Sequence, residues 1–135
     1  MDVIPYYEDI MEYAERVKMK LKPKLLLIFG SIAKGDFGVG SDVDILIVSD
    51  LLPKNFQKRL KILFLLNDTF APIEPVGYTS EEFKKMISKG HPTALDAIHD
   101  GIILYKDEKY EKEIRSLFKE VIGRVRREEF GWVRV

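Results

Sequence analysis

Between Phe29 and Val48 the chain reads FGSIAKGDFGVGSDVDILIV. An apolar run, Lys24-Leu25-Leu26-Leu27-Ile28-Phe29, breaks at Gly30-Ser31. Ten residues later Asp42-Val43-Asp44 opens a second apolar run, Ile45-Leu46-Ile47-Val48. Short apolar, branched runs bounded by turn residues read as buried strands, and Gly35, Gly38 and Gly40 punctuate the link between them. That link is too short for a usual crossover helix, so the two strands are expected to be antiparallel. Successive side chains on a strand alternate faces, which projects Asp42 and Asp44 the same way, with Cα atoms about 6–7 Å apart. Such a pair suits a hard divalent cation, which takes oxygen ligands and keeps other positions for water or phosphate. Two ions about 3.5–4 Å apart can clamp the attacking and leaving oxygens of a displacement at phosphorus. A turn able to wrap phosphate oxygens therefore precedes two carboxylates spaced to share metal.

The remaining periodicities predict an α/β (α+β) fold, a small mixed sheet packed with helices, in the order αβαβαβαβα. Tyr6, Ile10, Tyr13, Val17 and Leu21 recur at helical spacing and stop before Pro23. Pro53 can open a helix whose inner face would carry Phe56, Leu60, Leu63, Phe64 and Asn67. A third strand is expected near Ile73–Tyr78, parallel to the second. Thr79 or Ser80 then caps a helix holding Phe83, Met86 and Ile87. A short helix at Thr93–His99 leads to a fourth strand at Ile102–Tyr105. A last helix is expected to place Tyr110, Ile114, Leu117, Phe118, Val121, Ile122 and Val125 on one stripe. One domain over residues 1–135 accommodates all of this.

A two-metal site needs a third acid from a neighbouring strand, and strand phase nominates Glu74. Asp42 and Asp44 share a face with Leu46 and Val48; Glu74 shares one with Val76 and Tyr78. If the strands are parallel neighbours, the acids converge at one end. Pro75 removes a backbone donor and marks an edge strand. Asp68, Asp96 and Asp100 are alternatives, each near a predicted helix end where it can cap or complement a dipole. His91 and His99 lack ligand-spaced partners and are read as structural, which argues against zinc. Arg124, Arg126 and Arg127 read as a solvated helix end, while Phe130 and Trp132 either fold back on the core or mark a partner surface.

Composition narrows the class. The chain has 22 basic and 22 acidic residues, so a general nucleic-acid-binding surface is not expected. It has no cysteine, which removes disulfides and thiolate metal sites. No apolar run approaches the roughly 20 residues of a membrane span. The first residues are acidic and amphipathic rather than signal-like, so a cytoplasmic location without membrane contact is expected.

The Gly30-Ser31, ten-residue, Asp42-Val43-Asp44 signature resembles the DNA-polymerase-β-like nucleotidyltransferase superfamily, and in particular its minimal nucleotidyltransferases, the MNT group. Ala33-Lys34-Gly35-Asp36 and Ser41 fit that group's habits. The resemblance implies transfer of AMP from ATP with Mg2+, two ions being expected, held by Asp42, Asp44 and Glu74. Glu74 is a departure, since the family usually has Asp there. It implies that Gly30 and Ser31 bind the triphosphate, with Lys34 steadying its charge. It further implies a partner, a HEPN-domain toxin modified on tyrosine, with this chain as the antitoxin. The chain lacks the Arg-x4-6-His pattern of such a toxin. A partner or a second copy of the chain must complete the acceptor site. Two other readings stand beside this one: a nucleotide-binding module that neutralises its partner by contact, and a small-molecule nucleotidyltransferase.

Overall fold

The computed structural model describes residues 4–38, 40–128 and 131–134. The elements follow in order: α1 (Tyr7–Leu21), β1 (Leu25–Phe29), α2 (Gly30–Lys34), β2 (Val43–Val48), α3 (Phe56–Leu65) and β3 (Ile73–Tyr78). Then come α4 (Ser80–Ser88), α5 (Pro92–Asp100), β4 (Ile102–Lys106), α6 (Glu108–Ile122), β5 (Val125–Glu128) and β6 (Gly131–Arg134). Among the described residues, no helix is long and apolar enough to cross a membrane.

The sheet runs β3-β2-β1-β4. β1 pairs antiparallel with β2, and β2 pairs parallel with β3, as expected from the connections between them, and β4 pairs antiparallel with β1. Both β1 and β2 are apolar nearly throughout because helices cover both faces of the sheet. On one face Ile10, Tyr13 and Val17 of α1 and Leu63 of α3 pack against Leu26, Ile28, Ile45 and Ile47. The Tyr13 hydroxyl donates to the Leu63 carbonyl at 2.8 Å, tying the two helices together inside that core. On the other face Phe83, Leu95, Ile98 and Ile114 of α4, α5 and α6 pack against Leu25, Leu27, Leu46 and Val48. Thr79 caps α4 in a reciprocal capping box with Glu82.

Three expectations are corrected. The inner face of α3 is Arg59 and Leu63, while Phe56 and Phe64 are exposed. The apolar stripe of the last helix ends at Val121, for Ile122 is exposed and Val125 belongs to β5. There the chain leaves the helix and pairs Val125–Glu128 with Gly131–Arg134. Arg126 and Arg127 are accordingly strand residues of a hairpin, and Arg127 is tied to α5 rather than solvated on a helix end. Trp132 folds back on the protein, stacking edgewise on Phe118 and His99. Phe130 lies outside the described residues.

Candidate active site

Register builds the site. Asp44 is paired with Phe29 across β1 and with Glu74 across β3. The turn at Gly30 therefore begins one residue beyond the position facing Asp44, and Glu74 stands level with Asp44 on its other side. Asp42 precedes β2 by one residue and is exposed, as is Glu74, while Asp44 is half-buried. Both acidic strand starts continue into the same core, Leu46 and Val48 on β2, Val76 and Tyr78 on β3.

Gly30 is the closest neighbour this placement demands. It has φ of +74°, a conformation that a side chain disfavours, and a Cβ there would sit 2.3 Å from Asp44 Oδ2. Glycine thus leaves a cradle directly over one carboxylate oxygen. α2 follows at once and closes at Gly35, with the Asp36 N–H donating to the Ser31 carbonyl at 2.9 Å. Ser41 closes the glycine-rich link, accepting the Gly38 N–H on its hydroxyl at 2.9 Å.

The electrostatics follow from the crowding. Burial, then the negative charges of Asp42 and Glu74, push the Asp44 carboxyl above the usual carboxylate range. Three hard oxygen donors sharing a strand end, with mutual repulsion and a side-chain-free space above one of them, fit a divalent cation. Among the described residues no three His, Asp or Glu side chains close on a common point as a preformed cluster.

Lys34, on the last turn of α2, points its ammonium to Asp96 Oδ2 at 3.8 Å. Asp96 and Asp100, the weaker metal-ligand candidates, are engaged by Arg127. Asp68 pairs with Arg16 at 3.3 Å. His91 caps α5, its ring accepting the Thr93 N–H at 3.2 Å. A cleft of about 440 Å3 lined by Ser88, Gly90, Val121, Arg124 and Trp132 lies on the hairpin side and contains none of the three carboxylates.

Comparison with known proteins joins this geometry to a family. The model of the nucleotidyltransferase domain matches residues 10–130, from α1 into the hairpin. The chain belongs to the nucleotidyltransferase domain family. A curated relative, the "putative protein adenylyltransferase MJ0141" of Methanocaldococcus jannaschii, is 42% identical over 59 residues. That match covers 41% of this chain and 60% of the relative, so the likeness spans less than two thirds of the relative's length. Among solved structures, a "putative nucleotidyltransferase" from Sulfolobus solfataricus aligns with TM-score 0.55 at 22% identity. The alignment covers 76% of this chain and 81% of that one. A toxin–antitoxin crystal structure with AMP-PNP aligns with TM-score 0.52 at 16% identity, over 87% of this chain and 90% of that one. These likenesses show a shared nucleotidyltransferase fold. The expected nucleotidyltransferase class agrees with the family whose model matches.

Arg59 is the residue that sequence reasoning missed. It is 2% exposed, and its five guanidinium N–H bonds go to the carbonyls of Pro53 and Gly77 and the carboxylate of Glu82. It thereby fixes α3 and the α4 start against β3, the strand that carries Glu74. α3 also carries Gln57, Lys58 and Lys61, so Arg59 does not stand out locally, and the available signal was the glutamate of a capping box 23 residues later.

Proposed function

We propose that this chain is an ATP-dependent AMP transferase that modifies a tyrosine hydroxyl of a partner HEPN-domain toxin and acts as its antitoxin in the cytoplasm. The observation that carries the reading is the level placement of Asp44 and Glu74 on paired strands, with Asp42 two residues before and Gly30 over Asp44. The relative named as a protein adenylyltransferase supports AMP and a protein acceptor, and the fold shared with a toxin–antitoxin assembly holding AMP-PNP supports the partner.

In this reading Gly30 and Ser31 receive the β- and γ-phosphates, with Lys34 beside them. Asp42, Asp44 and Glu74 would hold magnesium, which supplies charge neutralisation and lowers the pKa of the acceptor hydroxyl. The chain's own work is positioning, since no side-chain nucleophile is required. The acceptor hydroxyl gives its proton to water, its oxygen bonds to the α-phosphorus in line, the bond to the β-phosphate breaks, and pyrophosphate leaves. The acceptor approaches from the β3 edge, because β1 and α2 occupy the phosphate side. One domain, residues 1–135, holds the whole transfer site, and the partner supplies the acceptor.

A contact-only binding module is the second reading, favoured by the absence of a preformed three-acid cluster among the described residues. Incubation with ATP labelled on the α-phosphate, magnesium and extract of the source organism separates the two, run beside Asp44→Asn. Label on one protein band that requires Asp44 supports AMP transfer to a protein. Label on RNA or a small molecule keeps the enzyme and discards the antitoxin. No transfer with either protein favours the binding module.

A further inference from the structure

Asp96 sits where two parts of the molecule compete for one carboxylate. It lies on α5, which packs against both α2 and β6. Its Oδ1 accepts the Trp132 indole N–H at 2.9 Å and faces Arg127 Nη2 at 3.3 Å. Its Oδ2 faces Lys34 Nζ at 3.8 Å. Asp96 thus has a hydrogen-bonded side, turned to the C-terminal hairpin, and a looser side, turned to the turn after β1.

The hairpin is held to this spot by more than Asp96. Arg127 also pairs with Asp100, and its Nη1 donates to His99 Nδ1 at 2.8 Å. Its guanidinium lies 5.5 Å from the centre of the Trp132 ring, which stacks edgewise on His99 and Phe118. Two carboxylates, Asp96 and Asp100, therefore face two cations, Lys34 and Arg127. Of these cations, Lys34 has the longest contact and is 38% exposed.

We infer that Asp96 is a positioning residue that holds Lys34 in reserve for the nucleotide's phosphates, and that Arg127 and Trp132 of the hairpin set how easily Lys34 is released. This rests on the reading that the Gly30-Ser31 turn takes a triphosphate. A triphosphate carries more charge than one carboxylate and draws Lys34 away. Asp96 can let it go because Arg127 and Trp132 still satisfy its other oxygen. Without those donors, Lys34 is the cation left to Asp96, and the phosphates must compete harder for it. The hairpin thereby tunes nucleotide affinity from outside the site, with no contact to the nucleotide.

The test is calorimetric titration of AMP-PNP with magnesium, inorganic tripolyphosphate and AMP into the whole chain and four variants: Arg127→Gln, Trp132→Phe, Asp96→Asn and the Asp96→Asn/Arg127→Gln pair. Arg127→Gln and Trp132→Phe are expected to weaken AMP-PNP and tripolyphosphate about two- to fivefold, the scale of a partly exposed ion pair. Asp96→Asn is expected to tighten both by a similar factor. The double variant should bind like Asp96→Asn alone, since the hairpin acts only through that carboxylate. AMP, lacking the β- and γ-phosphates, should bind all forms alike. Trp132→Phe keeps the ring in the stack, so its effect survives even if Arg127→Gln loosens the hairpin. Equal AMP-PNP affinity across all variants overturns the inference and leaves the proposed function standing, as does an undiminished Arg127→Gln effect in the Asp96→Asn background. A parent chain that binds neither AMP-PNP nor tripolyphosphate overturns both.

Discussion

Burial, and then the charges of Asp42 and Glu74, raise the Asp44 carboxyl. The folded state therefore prefers Asp44 protonated more than the unfolded state does. Its ionised form costs stability above the unfolded carboxylate pKa, and the cost is absent below it. Asp44→Asn is expected to melt higher than the parent near pH 7, with the difference shrinking as pH falls through the carboxylate range. The same variant should lose AMP transfer by at least about a hundredfold, since it removes one of the carboxylates that would hold magnesium at the reacting phosphate. Thermal melts across pH, beside transfer assays, check both; a variant that melts lower at pH 7 contradicts the electrostatic account. At this scale the sequence was legible. Asp42, Asp44, Gly30 and Ser31 lie in one contiguous segment, where strand alternation alone predicts facing. Lys34 was half-legible: its pairing with Asp96 needs α5 to pack beside α2, which spacing cannot show.

Elements are where periodicity misled. The spacing of α3 predicts an inner face of Phe56, Leu60, Leu63, Phe64 and Asn67, yet of these only Leu63 is fully buried, and Arg59 shares the buried face with it. The buried carbonyl of Gly77 and the part-buried carbonyl of Pro53 need donors, and a planar guanidinium supplies them while also donating to Glu82. Burial alone would raise Glu82, but hydrogen bonds from Arg59 and the Thr79 N–H outweigh it and hold the carboxyl below its usual range. That contribution is present above the unfolded pKa and fades as pH falls through the lower folded value. Arg59→Ala should cost about 3 kcal/mol, because it strands the buried Gly77 carbonyl, removes the donors to the part-buried Pro53 carbonyl and opens a cavity. Denaturant unfolding measures this, and a loss under about 1 kcal/mol, the scale of a surface ion pair, would mean that water replaces the guanidinium. The apolar stripe of α6 likewise ran on to Val125 in sequence, and the turn at Gly123-Arg124 ends it in the structure.

Over the whole molecule, β1 and β2 lie between two helical layers and are flanked by paired strands. Amide exchange is expected to be slowest for Leu26–Ile28 and Ile45–Ile47, and fastest for residues 35–38 and the β5–β6 hairpin. Mass-spectrometric exchange checks this, and a hairpin as protected as β1 would make it part of the main folding unit. The sequence by itself determined the helix–strand order as far as the last helix, the relative directions of β1, β2 and β3, and the acidic pair. Each of these follows from local pattern, connection length or alternation along one strand. The tertiary structure alone decided that Asp44 and Glu74 stand level, that Arg59 belongs inside, and that Trp132 and Arg127 reach Asp96. Those facts join residues 30 or so positions apart through sheet pairing and helix docking, and no local pattern encodes which distant partner satisfies a buried polar atom.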